Sequence, residues 1–176
     1  FTACWWGIPV PSLGETELMG LGSNGSNGWR SLVWTQSTTV NFSVGSSDCT
    51  SSALTAVAST PVDSVPTLLC GTWGGDGRVR AYVNGVLGNT TAGSATSTCA
   101  GGTGARFNWA GYFNGSNNTN PATQALYLGA FHTERVLTAA ELLSISQAVR
   151  ASTPLEVHGI PLTYTRTGAQ WCPAFD

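Results

Sequence analysis

The chain has 176 residues, seven arginines, no lysine, nine carboxylate side chains and a formal net charge of −2. Charged residues make up 9% of it, against about 25% in an average soluble domain. Scattered arginines at near-neutral charge exclude the basic footprint that nucleic acid or an anionic membrane surface requires. No apolar run of about 18 residues is present to cross a bilayer as a helix. Seven Trp, six Phe and four Tyr supply core material, which excludes a disordered chain, and the length fits one domain.

Phe1 to Trp6 reads as a strand, which Pro9 and Pro11 end or confine to an edge. Glu15-Thr16-Glu17 follows Gly14 and reads as a solvated loop, and Asn24-Gly25-Ser26-Asn27-Gly28 as a turn. Trp29 to Thr35 is the next strand. Thr39 to Val44 alternates, with Val40, Phe42 and Val44 on one face. Cys49 to Pro61 is a loose Ser/Thr/Ala segment.

Leu68 to Trp73 and Val79 to Val83 read as strands joined by Gly74-Gly75-Asp76-Gly77, and Asn84-Gly85 marks a type I′ turn after the second. In that second strand Val79, Ala81 and Val83 alternate with Arg80 and Tyr82, leaving one face for solvent or a ligand. Asn89 to Gly104 is a Gly/Ser/Thr-rich loop with at most one short strand. Arg106 to Phe113 and Ala125 to Phe131 are strands, separated by the Asn/Gly-rich stretch from Asn114 to Pro121. Thr138 with Glu141 three residues on forms a capping box, and Leu142, Ile145 and Val149 share one face of a helix through Arg150. Many short strands with turn signals between them predict an all-β sandwich or barrel.

Two segments resemble a known family. Gly71-Thr72-Trp73 followed by Tyr82-Val83-Asn84-Gly85 is similar to the central hairpin of laminin-G-like, or concanavalin A-like, β-sandwich modules. Leu126 to Leu142, with Arg135-Val136-Leu137-Thr138 and Glu141-Leu142, resembles their closing strand and short helix. The resemblance covers about residues 1–150. It implies an all-β antiparallel two-sheet β-sandwich, a concanavalin A-like jelly roll, with one short C-terminal helix. Residues 1–152 are then the module, and 153–176 a C-terminal extension or linker to a further domain. In the family a further strand precedes the one that starts at Phe1, so that strand is expected to be missing or supplied by a neighbour. Leu162 to Trp171 resembles short segments beside such modules in phage virion proteins.

The same sandwich hosts β-glucanases, which need two carboxyl groups about 5–9.5 Å apart. Their Glu-x-Asp-x-Glu strand is absent, and Glu15 with Glu17 is the one pair at alternating spacing. His132, in the turn after the closing strand, and His158, in the tail, read as surface residues rather than bases. Gly74 to Gly77 lacks the Lys and following helix of a phosphate loop. The resemblance implies calcium at the sandwich rim, with Asp48, Asp63 and Asp76 as candidate oxygen ligands; Asp76 also reads as a turn-shaping Asp-Gly pair. Of the five cysteines, Cys70 reads as a small buried hydrophobe, and Cys49 and Cys99 as the better disulfide candidates; Cys4 and Cys172 complete the set.

Binding remains. A sugar site combines flat aromatic faces with amides that donate to and accept from hydroxyls. Trp109 and Tyr112, followed by Asn114, Asn117 and Asn118, bring both kinds together, and the loop ending at Trp29 offers a second such set. Trp5, Trp34 and Trp73 read as core, and core is the competing reading for Trp109. The expectation is a non-catalytic module that binds glycan or a cell-surface ligand, within a larger extracellular or virion protein whose other subunits are further partners. The alternatives are a purely structural virion subunit and a glycoside hydrolase using Glu15 and Glu17.

Overall fold

The computed structural model describes residues 1–9, 16–22, 29–36, 39–45, 52–59, 66–91, 106–109, 112–113, 118–119 and 126–152. Along the chain these form β1 (Thr2–Ile8), β2 (Thr16–Gly22), β3 (Trp29–Gln36), β4 (Thr39–Gly45), β5 (Ser52–Ser59), β6 (Thr67–Trp73), β7 (Val79–Val83) and β8 (Val86–Thr90). There follow β9 (Arg106–Trp109), β10 (Tyr112–Phe113), β11 (Asn118–Thr119), β12 (Leu126–Thr133) and α1 (Ala139–Ser152). One sheet has the order β12-β1-β6-β7-β8 and the other β5-β4-β3-β2-β9, while β10 and β11 pair as a short ribbon. All pairings are antiparallel. The expected two-sheet sandwich with one short helix is the observed architecture.

Alternation explains how the layers stack. Ala3 and Trp5 of β1, Leu69 of β6, and Val79 and Ala81 of β7 meet Val33, Val40, Phe42, Val44, Ala56 and Ala58 of the second sheet in one buried core. The intervening residues Cys4, Trp6, Leu68, Cys70 and Tyr82 form a second cluster with Leu137 and Leu142. The first sheet is thus covered on both faces, by the second sheet and by α1. This is why β1 reads Thr-Ala-Cys-Trp-Trp-Gly-Ile rather than as an apolar/polar alternation.

Local signals set the connections. Asn84 (φ 53°) and Gly85 (φ 79°) both occupy the left-handed region, as a type I′ turn demands. A Cβ on Gly85 would stand 2.3 Å from the Leu143 Cα, so the hairpin tip rests directly on the α1 backbone. The Glu141 N–H donates to Thr138 Oγ1 (3.3 Å), and the Thr138 N–H donates to Glu141 Oε2 (2.7 Å). This is a reciprocal capping box. Ahead of it, Thr2 Oγ1 accepts from the Leu137 N–H and donates to the Arg135 carbonyl, both at 2.8 Å. These two bonds hold the approach to α1 onto β1.

Several expectations are corrected. Thr16 and Glu17, read with Glu15 as a solvated loop, open the strand Thr16–Gly22, which lies between β3 and β9, and its alternation is obscured by register shifts beside Glu17 and Leu21. Ser52–Ser59, read as a loose segment, is the end strand β5; it is built from small residues because Ala56 and Ala58 face the core. The strand expected over 106–113 divides, with β9 joining the second sheet and β10 the ribbon. The second face of β7 is not open at Tyr82, which is 5% exposed beneath α1.

Cys70 is buried as expected but is no free thiol. It is bonded to Cys4, its direct cross-strand partner. Cys49, Cys99 and Cys172 lie outside the described residues. His132 belongs to β12 itself rather than to the turn after it, and its ring lies 5.2 Å from that of Phe1.

Candidate functional site

The second sheet and the adjoining ribbon carry most of the residues singled out for recognition. Trp109 is the last residue of β9 and pairs with Met19, which leads through Val33 and Phe42 to Ala56 along one row. Three residues later the chain enters β10, where Tyr112 pairs with Thr119 and Phe113 with Asn118. The β10 strand packs against β9, β2 and β3. Trp109, Tyr112 and Asn118 are therefore gathered at the β9 side of the second sheet. Trp29 stands apart. It opens β3 opposite Gly22, which pairs with Arg106 at the far end of β9. That puts it two strands across and three residues along from Trp109, roughly 10 Å in each direction. Asn114 and Asn117 lie outside the described residues.

A further row was not evident from the sequence. Asn41 and Ser43 alternate with core Val40, Phe42 and Val44, yet they are only 3% and 0% exposed. On this face of β4 the Ser43 and Thr55 hydroxyls are hydrogen-bonded at 2.7 Å, and Asn41 Nδ2 donates to Thr39 Oγ1 at 3.3 Å. The register continues this face to either side of Asn41: Glu17 pairs with Trp34, Trp34 with Asn41, and Asn41 with the exposed Val57. The signal for it was the Asn/Ser alternation within Thr39–Gly45, but its partners come from β2 and β5, the two strands hidden by bulges and small residues. Burial of Asn41 also keeps a glycosyltransferase from its Asn-Phe-Ser sequon in the folded chain.

The catalytic and cation candidates fare differently. Glu17 lies in β2, while Glu15 and His158 lie outside the described residues. Asp76 is turned inward on its own hairpin. Its carboxylate takes up Arg80 as an ion pair and accepts from the Arg78 N–H at 3.1 Å. The Arg80 hydrogen bond, followed by that of the Arg78 amide, lowers its pKa from 3.8 to about 2. The donor set of Asp76 is thus spent on shaping the turn, as its Asp-Gly reading implied. Asp48 and Asp63 are outside the described residues. Among the described residues, no three His, Cys, Asp or Glu side chains converge on a point where a cation could sit. No described helix is long and apolar enough to cross a membrane.

No family model matches the chain, and no curated protein sequence matches it. Its fold is similar to several solved structures. The Ruminococcus gnavus IT-sialidase CBM40 bound to α2,3 sialyllactose superposes with a TM-score of 0.64 at 16% identity, over 82% of this chain and 81% of that one. The leech intramolecular trans-sialidase complexed with 2,7-anhydro-Neu5Ac aligns at 0.59 and 14% identity, over 82% of this chain and 23% of the larger enzyme. The receptor binding domain of botulinum neurotoxin D aligns at 0.54 and 10% identity, over 84% of this chain and 36% of that one. At these identities the likeness is one of architecture: this chain has the antiparallel β-sandwich that the CBM40 domain has.

Proposed function

We propose that the chain is a glycan-recognition module that binds sugar without cleaving it, as one part of a larger extracellular or virion-surface protein. The observation that supports this reading is the packing of β10 against β9 and β2, by which the ribbon that includes Tyr112 and Asn118 adjoins the β9 edge of the second sheet. Tyr112 supplies a ring face for the C–H face of a sugar, and Asn118, with Asn114 and Asn117 in the same segment, supplies amides for hydroxyls, whereas Trp109 stands in the register row of the core residues Met19, Val33, Phe42 and Ala56. The architecture shared with a CBM40 domain bound to sialyllactose supports a glycan as the ligand class. The Cys4–Cys70 disulfide supports an oxidising compartment outside the cytosol.

The test is a glycan array that includes sialyllactoses, probed with the intact chain and with Trp109→Ala, Tyr112→Ala and Trp29→Ala variants of unchanged circular dichroism. Binding is expected to fall about 10-fold or more with Tyr112→Ala, and little with Trp29→Ala or with Trp109→Ala, since Trp109 stands in the core-facing row. Loss confined to Trp29→Ala moves the site to the start of β3. A folded chain that binds no glycan overturns the proposal.

A further inference from the structure

Among the described residues, three large apolar side chains gather exposed at one end of the first sheet. Val86 is 64% exposed, Leu87 46% and Leu143 42%. The first two are neighbours in β8, which among the described residues ends that sheet. Successive strand residues face opposite sides. Exposure of both, and of Gly88 and Asn89 after them, therefore leaves the outer edge of β8 open to solvent. Leu87 stands opposite Tyr82, on the α1 face, and the turn before it rests on the α1 backbone at Leu143. Leu87 and Leu143 belong to one apolar patch.

The ladder with β7 sets which backbone groups point outward. Val83 and Val86 close the Asn84-Gly85 turn, so their polar groups face each other and those of Leu87 point away from β7. Farther along, the Thr91 N–H donates to the Val79 carbonyl at 2.9 Å, which turns the Thr90 N–H outward. That donor is already held by Asn89 Oδ1 at 2.7 Å. The capacity for further pairing is thus centred on Leu87. Gly88 beside it has no partner in β7 and presents no side chain.

This edge is complementary to itself. From Ala81 to Thr91 the chain carries no charged residue, so two copies meet without like charges opposed and without a lone charge buried. In an antiparallel pairing about a two-fold axis at Leu87, the two Leu87 residues face each other, and Val86 of each copy falls opposite Gly88 of the other. A protruding valine meets a position without a side chain, twice over. Leu87 and Leu143 of both copies then form one apolar seam on the α1 face.

We infer that β8 is a self-association edge, pairing antiparallel with β8 of a second copy so that the two first sheets become continuous. The β8 strand packs beside β5, at the opposite end of the second sheet from β9, so the pairing leaves the β9 side free. It is independent of glycan binding.

Sedimentation equilibrium of the full chain over a concentration series tests this. A mass approaching that of two chains is expected. Leu87→Lys sets like charges across the axis and should weaken association about 100-fold or more with circular dichroism unchanged. Leu87→Cys brings two thiols to a cross-strand pair, and mild oxidation is expected to link two chains through residue 87. Leu128→Cys, at the half-exposed position on β12 at the other end of the sheet, should not link. A chain that stays single at every concentration overturns the proposal. So does a dimer that persists in folded Leu87→Lys, or one in which Leu87→Cys forms no link.

Discussion

Gly71 on β6 lies directly beneath the ring of Phe42 on β4: a Cβ on the glycine would stand 1.8 Å from the ring's Cγ. Flanked in its row by Ala3 and Ala81, Gly71 leaves a small-residue floor on the first sheet on which the Phe42 ring sits, 0% exposed. The two sheets are keyed to each other at this point.

Gly71→Ala is therefore expected to destabilise the sandwich by about 3 kcal/mol, the upper range for overpacking a closed core. Urea unfolding of the variant measures this. Adding Phe42→Leu to Gly71→Ala should cost less than the sum of the two single changes, because the smaller side chain vacates the space the new methyl needs.

The Cys4–Cys70 bridge joins residues 66 apart in sequence through neighbouring strands. Peptide mapping of the unreduced chain is expected to find these two half-cystines linked. Replacing both by Ala should lower the unfolding free energy by about 2–4 kcal/mol.

At the start of α1, the Thr138 amide hydrogen bond, the Arg135 guanidinium and the Thr138 hydroxyl together lower the Glu141 pKa from 4.5 to about 2. A carboxyl whose folded pKa lies below its unfolded value contributes fully above the unfolded value and loses that contribution as the pH falls through the folded one. The unfolding midpoint is therefore expected to decline between about pH 4.5 and about pH 2, and Glu141→Gln to flatten part of that decline. Asp76 titrates in the same acid range and accounts for some of what remains. At neutral pH, Thr138→Ala should cost about 1 kcal/mol as a lost cap.

What could be read from the sequence was what neighbouring residues decide among themselves. Asn84-Gly85, the Thr138/Glu141 box and the Val40-Phe42-Val44 face each carry their signal within a few residues, and each is where it was expected. The β2 strand was hidden because register shifts beside Glu17 and Leu21 break its alternation and because it contains glycine. The β5 strand was hidden because its inward positions are alanines. The disulfide was missed because it depends on β1 lying beside β6, a pairing that no local pattern encodes. The candidate residues show the same division: Trp109, Tyr112 and Asn118 are near one another in sequence and lie in adjoining short strands, whereas the row of Glu17, Trp34 and Asn41 exists only through strand register.

The central claim is recognition without bond cleavage, and one measurement addresses it most directly. The chain is loaded with the glycan it binds most tightly on an array, held at equilibrium, and the sugar is then released and weighed by mass spectrometry. Saturable binding with the glycan recovered intact is the expected result. Recovery of shortened sugar, suppressed by Glu17→Gln, would contradict it and make this sandwich a hydrolase.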